Sequence, residues 1–303
     1  MVDTGRGGFV FDMTVSPRVL TWKAALKISR PGMWFVLIWF YLWPTGGHWS
    51  VFHSFPFYIG LLSSTLPLNL LMFGINDMVD FDVDQLHARK GSYIFGARAS
   101  RSELAQLPLL MAVVNLCPIV VLAVMATERV NSALWVLSFL LCNIVYNVPP
   151  LALARKGPWE LPCVLLGVSC ITMFSCEINN IPIPSIGGWL FHWLAMTRGQ
   201  LHGEMVDIDD DAKCGKNTTV VKLGRLKAQW LMWTLTACAA VVTYILLGSV
   251  VLTTYYLIDL ALSVYGHTRG AGSLEKHTTT IFKVQSVLGV LYLFYAWSSQ
   301  VFA

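Results

Sequence analysis

Two short acidic windows carry the side chains best suited to chemistry in this sequence. Asp and Glu number only 17 in the whole chain, and about half of them fall in these windows. Crowded carboxylates are typical ligands of hard cations, and Mg²⁺ is usually held by one or two carboxylates together with substrate phosphates. The windows therefore predict a site for Mg²⁺ and a phosphorylated ligand. Their acids are Asp77, Asp80, Asp82 and Asp84 in the first window, and Glu204, Asp207, Asp209, Asp210 and Asp211 in the second.

The spacing within each window places most of its acids on one face of a helix. In the first window the pattern is N-D-x-x-D-x-x-x-D, formed by Asn76, Asp77, Asp80 and Asp84. Residues at i, i+3 and i+7 share a helix face, so Asp82 falls on the other side. The same spacing recurs in the second window, with one further acid near enough to share the face: Glu204, Asp207, Asp211 and Asp210.

Carboxylates on one helix face repel each other, by a few tenths of a kcal/mol for each exposed pair. A cation is therefore expected among them. For a single acidic run, a solvated helix end is the common explanation. Two runs with matched spacing favour metal binding, because a solvated cap does not require the duplication.

The composition indicates that these windows belong to a membrane protein. The chain has 303 residues, of which 55% are hydrophobic and 13% charged, and its mean hydropathy is +0.60. An apolar stretch of about 17 to 25 residues is long enough to span a bilayer as a helix. Nine such stretches predict an all-α integral membrane protein, near residues 33–52, 54–75, 105–126, 132–148, 160–177, 183–201, 228–248, 250–265 and 281–302.

The basic residues predict how these spans are oriented. Loops on the cytoplasmic side of a membrane are enriched in Lys and Arg. With nine spans and a cytoplasmic N-terminus, every Lys and Arg except Arg129 falls on the cytoplasmic side. Both acidic windows then lie at the cytoplasmic ends of spans, the second and the sixth. The net charge of +4 therefore reflects topology, and no nucleic-acid partner is expected.

The ends of the chain and its cysteines add little chemistry. The first 30 residues lack the apolar run and cleavage site of a secretory signal. We predict an N-terminal tail over residues 1–25 and a single membrane domain over residues 26–303. The seven Cys residues form no C-x-x-C pair, so reduced packing residues are expected.

At its acidic windows the chain resembles the UbiA-type intramembrane prenyltransferase superfamily. The two signatures of that family are N-D-x-x-D-x-x-x-D after its second helix and D-x-x-D-x-x-x-D after its sixth. Here Glu204 replaces the first Asp of the second signature. The resemblance extends over about residues 25 to 300 and includes further segments, namely Arg30-Pro31, the run from Tyr146 to Pro150, Arg155-Lys156-Gly157, and the run from Gly215 to Gly224.

The resemblance implies nine helices around a central cavity, with a cytoplasmic cap formed by the helix 2–3, 4–5 and 6–7 loops. It also implies an Mg²⁺-dependent enzyme that ionises a prenyl diphosphate, with membrane lipid around it. The catalytic acids would be Asp77, Asp80, Asp84, Asp207 and Asp211, and the metal ligands would be these five with Asn76 and Glu204. The diphosphate contacts would be Asn76, Arg155, Lys156 and Lys213, with Arg89 and Lys90 placed there by location.

Two reactions remain open for such an enzyme. A prenyltransferase passes the prenyl group to a hydrophobic acceptor, whereas a terpene cyclase of this type needs no acceptor. The segment after the first window, His87 to Ala97, lacks the Arg-Pro of relatives that prenylate aromatic acids. This departure weakens the expectation of an aromatic acceptor.

A cation transporter or a membrane scaffold is a different class of explanation. A transporter would need acids along a path across the membrane, yet Asp259 is the one acid well inside a predicted span. A scaffold would not need duplicated carboxylates. For Asp259 itself, a functional role and a structural hydrogen bond between helices remain equal alternatives.

Overall fold

Helices form every regular element in the part of the chain that the structure describes. The structure is a computed structural model, and it describes residues 18–86, 90–125, 130–268 and 288–302. Two isolated bridges, Ser92 with Gly96 and Lys156 with Asn217, are the only strand-like pairings within these ranges. The helices are α1 Trp22–Ile28, α2 Phe35–Leu42, α3 Phe55–Ser63, α4 Leu66–Val79, α5 Phe81–Leu86, α6 Arg101–Leu104, α7 Leu107–Met125, α8 Val130–Asn147, α9 Glu160–Asn179, α10 Ile186–Lys213, α11 Thr219–Ile245, α12 Val250–Thr268 and α13 Leu288–Ser298.

Four helical segments are long and apolar enough to cross a bilayer: Phe55–Val79, Arg101–Val121, Glu160–Asn179 and Thr219–Ile245. Four shorter apolar helices accompany them, at Phe35–Thr45, Asn131–Asn147, Val250–Tyr265 and Leu288–Ser298. Each of the nine predicted stretches overlaps a helix, although residues 281–287 of the last lie outside the described residues. Nine crossings of the membrane stay a prediction.

The first predicted span, residues 33–52, is not one continuous helix. α2 ends at Leu42, and short 3-10 turns follow at Trp43–Thr45 and Trp49–His53. Pro44 cannot donate the backbone hydrogen bond that would continue the helix. At Gly46 the chain also packs closely, because a Cβ there would lie 2.8 Å from the carbonyl oxygen of Trp297.

A bend at Asp80 separates α4 from α5 at the first acidic window. α4 ends at Val79, and Asp80 forms its C-cap. Helical hydrogen bonds nevertheless continue across the bend, since Asp80 N donates to Asn76 O and Asp84 N donates to Asp80 O, both at 2.9 Å. The acids of this window therefore keep a helical pitch although two helices carry them.

The loop between α8 and α9 pairs with the loop between α10 and α11. Gly157 N donates to Asn217 O at 2.7 Å, and Asn217 N donates to Arg155 O at 3.1 Å. A Cβ on Gly157 would lie only 2.3 Å from Thr219 N, so glycine permits this close approach. The pairing brings Arg155 and the nearby Lys216 to the same end of the helices as the acidic windows.

Candidate functional site

Two cations hold the start of the first acidic cluster, which comprises Asn76, Asp77, Asp80 and Asp84. Asp77 Oδ1 accepts hydrogen bonds from Arg30 Nη2 and from Lys90 Nζ, both at 2.7 Å. Lys90 also forms an ion pair with Asp84. Asp77 is only 3% exposed. A buried carboxylate requires such partners, because its charge would otherwise be desolvated without compensation.

A tight loop after Lys90 closes over Asp77. Gly91 N donates to Gly96 O at 2.7 Å, and Gly96 has φ +92°. A Cβ on Gly96 would lie 3.2 Å from both Arg30 Nε and Asp77 Oδ2. Only glycine readily adopts this φ, and its missing side chain leaves room for the ion pairs. The loop and the first cluster therefore form one unit.

A single lysine connects the first cluster with the second, which comprises Glu204, Asp207 and Asp211. Lys216 Nζ lies 3.3 Å from Asp80 Oδ2 and 3.6 Å from Asp211 Oδ1. The other oxygen of Asp80 accepts a hydrogen bond from Arg155 at 2.5 Å. Asn76 donates to Asn147 at 3.1 Å beside this group. The two clusters thus face each other across one ammonium group.

The charges in this group set one another's protonation. Burial alone would raise the pKa of Asp80, but Lys216 and Arg155 outweigh it and hold that pKa below its ordinary value. Burial would lower the pKa of Lys216, but Asp80 and Asp211 raise it. Burial raises the pKa of Asp84 and of Asp211 despite their lysine partners. Lys216 therefore stays protonated and Asp80 ionised at neutral pH.

The acids that spacing places off the shared face lie in solvent. The side chain of Asp82 is 82% exposed and pairs with Arg101 at 2.6 Å. Asp209 is 73% exposed and pairs with Arg225 at 2.8 Å. Exposed pairs of this kind contribute about 0–1 kcal/mol. Asp82 and Asp209 are therefore suitable matched controls for the acids that face Lys216 and Lys90.

Glu204 differs from Asp211 of the same cluster in what it contacts. It is 6% exposed, and its Oε2 accepts from Val220 N at 3.2 Å while Oε1 accepts from Gln200 Nε2 at 3.1 Å. Val220 begins α11. The neighbouring Thr219 N donates to Glu160 Oε1 at 2.7 Å. Two carboxylates from different helices thus meet the same helix start.

The structure brings some of the expected diphosphate contacts to the clusters and leaves others away from them. Lys90 and Arg155 contact clustered acids, as described above. Lys156 Nζ instead donates to Pro150 O, and the exposed Lys213 lies 3.8 Å from Asp210. Arg89 lies outside the described residues.

Three residues at this site were not predicted from the sequence, namely Arg30, Lys216 and Glu160. Arg30 and Lys216 belong to segments that resemble the family, but spacing alone does not say which loop cation reaches which acid. Glu160 is the first residue of an apolar helix, and an acid at that position usually interacts with the positive end of the helix dipole. Glu160 differs from such acids because it is 0% exposed, and this burial cannot be read from the sequence.

The donor chemistry of the clusters fits Mg²⁺. Carboxylate and amide oxygens are its usual protein ligands, and Mg²⁺ keeps several waters or takes substrate phosphates for the rest. Within the described ranges, no three Asp, Glu, His or Cys side chains stand close enough to form a metal site by themselves. The oxygen donors that fit the ion are divided between the two clusters.

Asp259, the acid inside a predicted span, forms an ion pair with Arg198. The two side chains approach to 2.6 Å, and the carboxylate is fully buried. Arg198 lies on α10 and Asp259 on α12, so the pair joins two helices. A structural link between helices accounts for this contact.

Comparison with known proteins gives one family. The model of the UbiA prenyltransferase family matches residues 32–280. Among curated proteins, the 4-hydroxybenzoate octaprenyltransferase of Acidovorax ebreus is 23% identical over 231 residues, which is 73% of this chain and 74% of the relative. The lycopene elongase/hydratase of Corynebacterium glutamicum is 25% identical over 218 residues, or 69% and 71% of the two chains.

A solved structure shares the fold. It is that of a UbiA homolog from Archaeoglobus fulgidus bound to DMAPP and Mg²⁺. The superposition has a TM-score of 0.64 with 19% sequence identity, and it covers 92% of this chain and 98% of the homolog. The helices described above therefore follow a known membrane fold.

Proposed function

The chain belongs to the UbiA prenyltransferase family, and from that premise we propose that its two acidic clusters ionise a prenyl diphosphate with Mg²⁺ for transfer to a hydrophobic acceptor. The chain is thus a prenyltransferase embedded in a membrane. The observation that carries the proposal is the position of Lys216, which lies between Asp80 of one cluster and Asp211 of the other. Carboxylates that face each other across a cation can hold a metal–diphosphate complex between them.

The residues that would hold Mg²⁺ are Asn76, Asp77, Asp80, Asp84, Asp207 and Asp211. When bound, the metal neutralises the diphosphate and makes it a better leaving group.

We propose that the diphosphate is bound by cations that contact the clustered acids, namely Arg30, Lys90, Arg155 and Lys216. As the C–O bond of the substrate breaks, its electron pair leaves with the diphosphate, and fixed positive groups stabilise the charge that develops there. In the structure these groups neutralise the clustered acids. We propose that the substrate takes over these contacts when it binds.

The allylic carbon that remains is electrophilic, and it forms a new bond to the acceptor, which releases a proton. This step requires an apolar surrounding, because water would capture the cation. Aromatic faces stabilise positive charge. Two rings lie beside the clusters: Phe73, whose ring is 4.4 Å from the guanidinium of Arg30, and Tyr146, whose hydroxyl accepts from Gln200.

We also propose the arrangement in the membrane that the sequence suggests. Nine helices over residues 26–303 would surround a central cavity, and the loops that carry Lys90, Arg155 and Lys216 would cap it. The distribution of Lys and Arg supports a cytoplasmic position for these loops and for the N-terminus.

The test is to follow diphosphate release by the purified, detergent-solubilised protein. Geranyl, farnesyl and geranylgeranyl diphosphates are supplied in turn, with and without Mg²⁺ and with and without a membrane-lipid extract. We expect release that requires Mg²⁺ and increases when the extract supplies an acceptor. Cyclic products formed without an acceptor would contradict transfer, and absence of any Mg²⁺-dependent release would contradict the proposed function as a whole.

A further inference from the structure

The start of α11 has all of its first backbone donors paired with side chains. A helix leaves its first N–H groups without intrahelical partners. Here Thr219 N donates to Glu160, Val220 N donates to Glu204, and Val221 N donates to the side chain of Thr218. Two of these three acceptors are carboxylates from other helices, so the start of α11 is held from α9 and from α10.

Both oxygens of Glu204 are used within the fold. Oε2 accepts from Val220 N, and Oε1 accepts from Gln200, whose amide also donates to the hydroxyl of Tyr146 at 3.3 Å. By contrast, Asp80 and Asp211 contact the ammonium of Lys216. Glu204 shares the spacing of the cluster, yet its contacts are those of a residue that holds the backbone.

The helix start held by Glu204 lies next to the cations of the site. Thr219 follows Lys216 by three residues, and Asn217 between them pairs with the backbone of Arg155 and Gly157. A displacement of this helix start would therefore move Lys216 and Arg155 away from Asp80.

From this geometry we infer that Glu204 is a positioning residue and not a metal ligand, and that with Glu160 it clamps the start of α11 so that Lys216 and Arg155 reach Asp80. The inference rests on the proposed function, because it assigns a role to one acid of the same site. The longer side chain of Glu204, where the family signature has Asp, provides the reach to Val220 N.

Two measurements on the full-length protein separate clamping from metal binding, and neither depends on turnover. The first is amide hydrogen exchange of peptides that cover residues 215–224, measured by mass spectrometry. The second is Mn²⁺ binding in the presence of inorganic pyrophosphate, measured from the electron paramagnetic resonance signal of free Mn²⁺. The variants are Glu204→Leu, Glu160→Leu, Glu204→Gln and, as the matched acid of the same helix, Asp207→Asn.

If Glu204 and Glu160 clamp the start of α11, substitutions of these two acids and a substitution of Asp207 should have opposite effects on hydrogen exchange and on Mn²⁺ binding. Glu204→Leu and Glu160→Leu accelerate exchange of this segment by roughly tenfold or more, since buried donors lose their acceptors. Glu204→Gln keeps an acceptor oxygen, so it retains slow exchange. It also binds Mn²⁺ within about twofold of the parent, because it removes no metal ligand. Asp207→Asn leaves exchange unchanged but weakens Mn²⁺ binding by roughly tenfold or more, since altering even a partner of a metal ligand has that effect.

Glu204→Gln decides the question even if the leucine variants do not fold. If it weakens Mn²⁺ binding as much as Asp207→Asn does, the inference is overturned. Unchanged exchange in a folded Glu204→Leu variant would overturn it as well. Failure of the proposed function would show differently, as a parent protein that releases no diphosphate with Mg²⁺ although its exchange is slow.

Discussion

Replacing Lys216 with Met should have opposite effects on metal binding and on turnover. Lys216 lies against both Asp80 and Asp211 and so competes with a divalent cation for the same carboxylates. With a prenyl diphosphate bound, the same ammonium would stabilise the departing diphosphate. Lys216→Met therefore removes a competitor from the free protein and a stabilising charge from the reacting one.

The distances indicate the size of each effect. Unit charges at 3.3 and 3.6 Å attract by about 1 kcal/mol each even at the dielectric constant of water. Mn²⁺ should accordingly bind the free variant at least about fivefold more tightly, since about 1.4 kcal/mol corresponds to a factor of ten. A hydrogen bond to a charged group contributes about 1.5–3 kcal/mol, so kcat/KM for the prenyl diphosphate should fall by roughly 10- to 100-fold.

The assay combines Mn²⁺ titration of the substrate-free protein with initial rates of diphosphate release. Lys227→Met serves as the control, because Lys227 is an exposed lysine on α11 outside both clusters, and its binding and rate should match the parent. Weaker Mn²⁺ binding in Lys216→Met together with an unchanged rate would refute the placement of Lys216 between the clusters.

Two further predictions concern the framework of the site. Gly157→Ala should destabilise the protein by about 1–3 kcal/mol, because its Cβ would lie 2.3 Å from Thr219 N. The control is Gly199→Ala, where a Cβ meets nothing within 4 Å, and this variant should be neutral or slightly stabilising. Stability is measured from thermal unfolding in detergent, and equal losses in the two variants would contradict this prediction. Asp259→Asn should lower the free energy of unfolding by about 3–5 kcal/mol, since it leaves the guanidinium of Arg198 without its buried partner. The double variant Arg198→Met/Asp259→Leu should recover part of that loss. A loss in the double variant equal to the sum of the losses in the two single variants would argue against a direct ion pair.

Much of the fold follows from the sequence, because apolar stretches long enough to span a bilayer are easily recognised. All nine stretches overlap helices in the structure. The break at Leu42 was not predicted, although Pro44 and the glycines that follow it are its local cause. Hydropathy averages over a window, and such an average does not register one proline in an apolar run.

Spacing identifies the acids of the candidate site but not their partners. Helical periodicity separates the buried Asp77 from the exposed Asp82, since helical hydrogen bonds continue from α4 into α5 across Asp80. Lys216 reaches Asp80 across 136 positions of the chain, and contacts at that separation depend on how loops pack. The orientation of Glu204 is likewise tertiary, because it depends on where α11 begins. Spacing could group Glu204 with the other acids but could not show which backbone it faces.

The most direct test of the account compares two neighbouring acids of α10, Asp207 and Asp209, in Mg²⁺-dependent diphosphate release. Asp207 shares the face of the second cluster, whereas Asp209 is exposed and paired with Arg225. We predict that Asp207→Ala lowers the initial rate by roughly 100-fold or more, as losses of charge stabilisation at a reacting centre do, and that Asp209→Ala stays within about twofold of the parent. Equal rates in the two variants, whether both high or both low, would contradict a metal–diphosphate site held by one face of each acidic cluster.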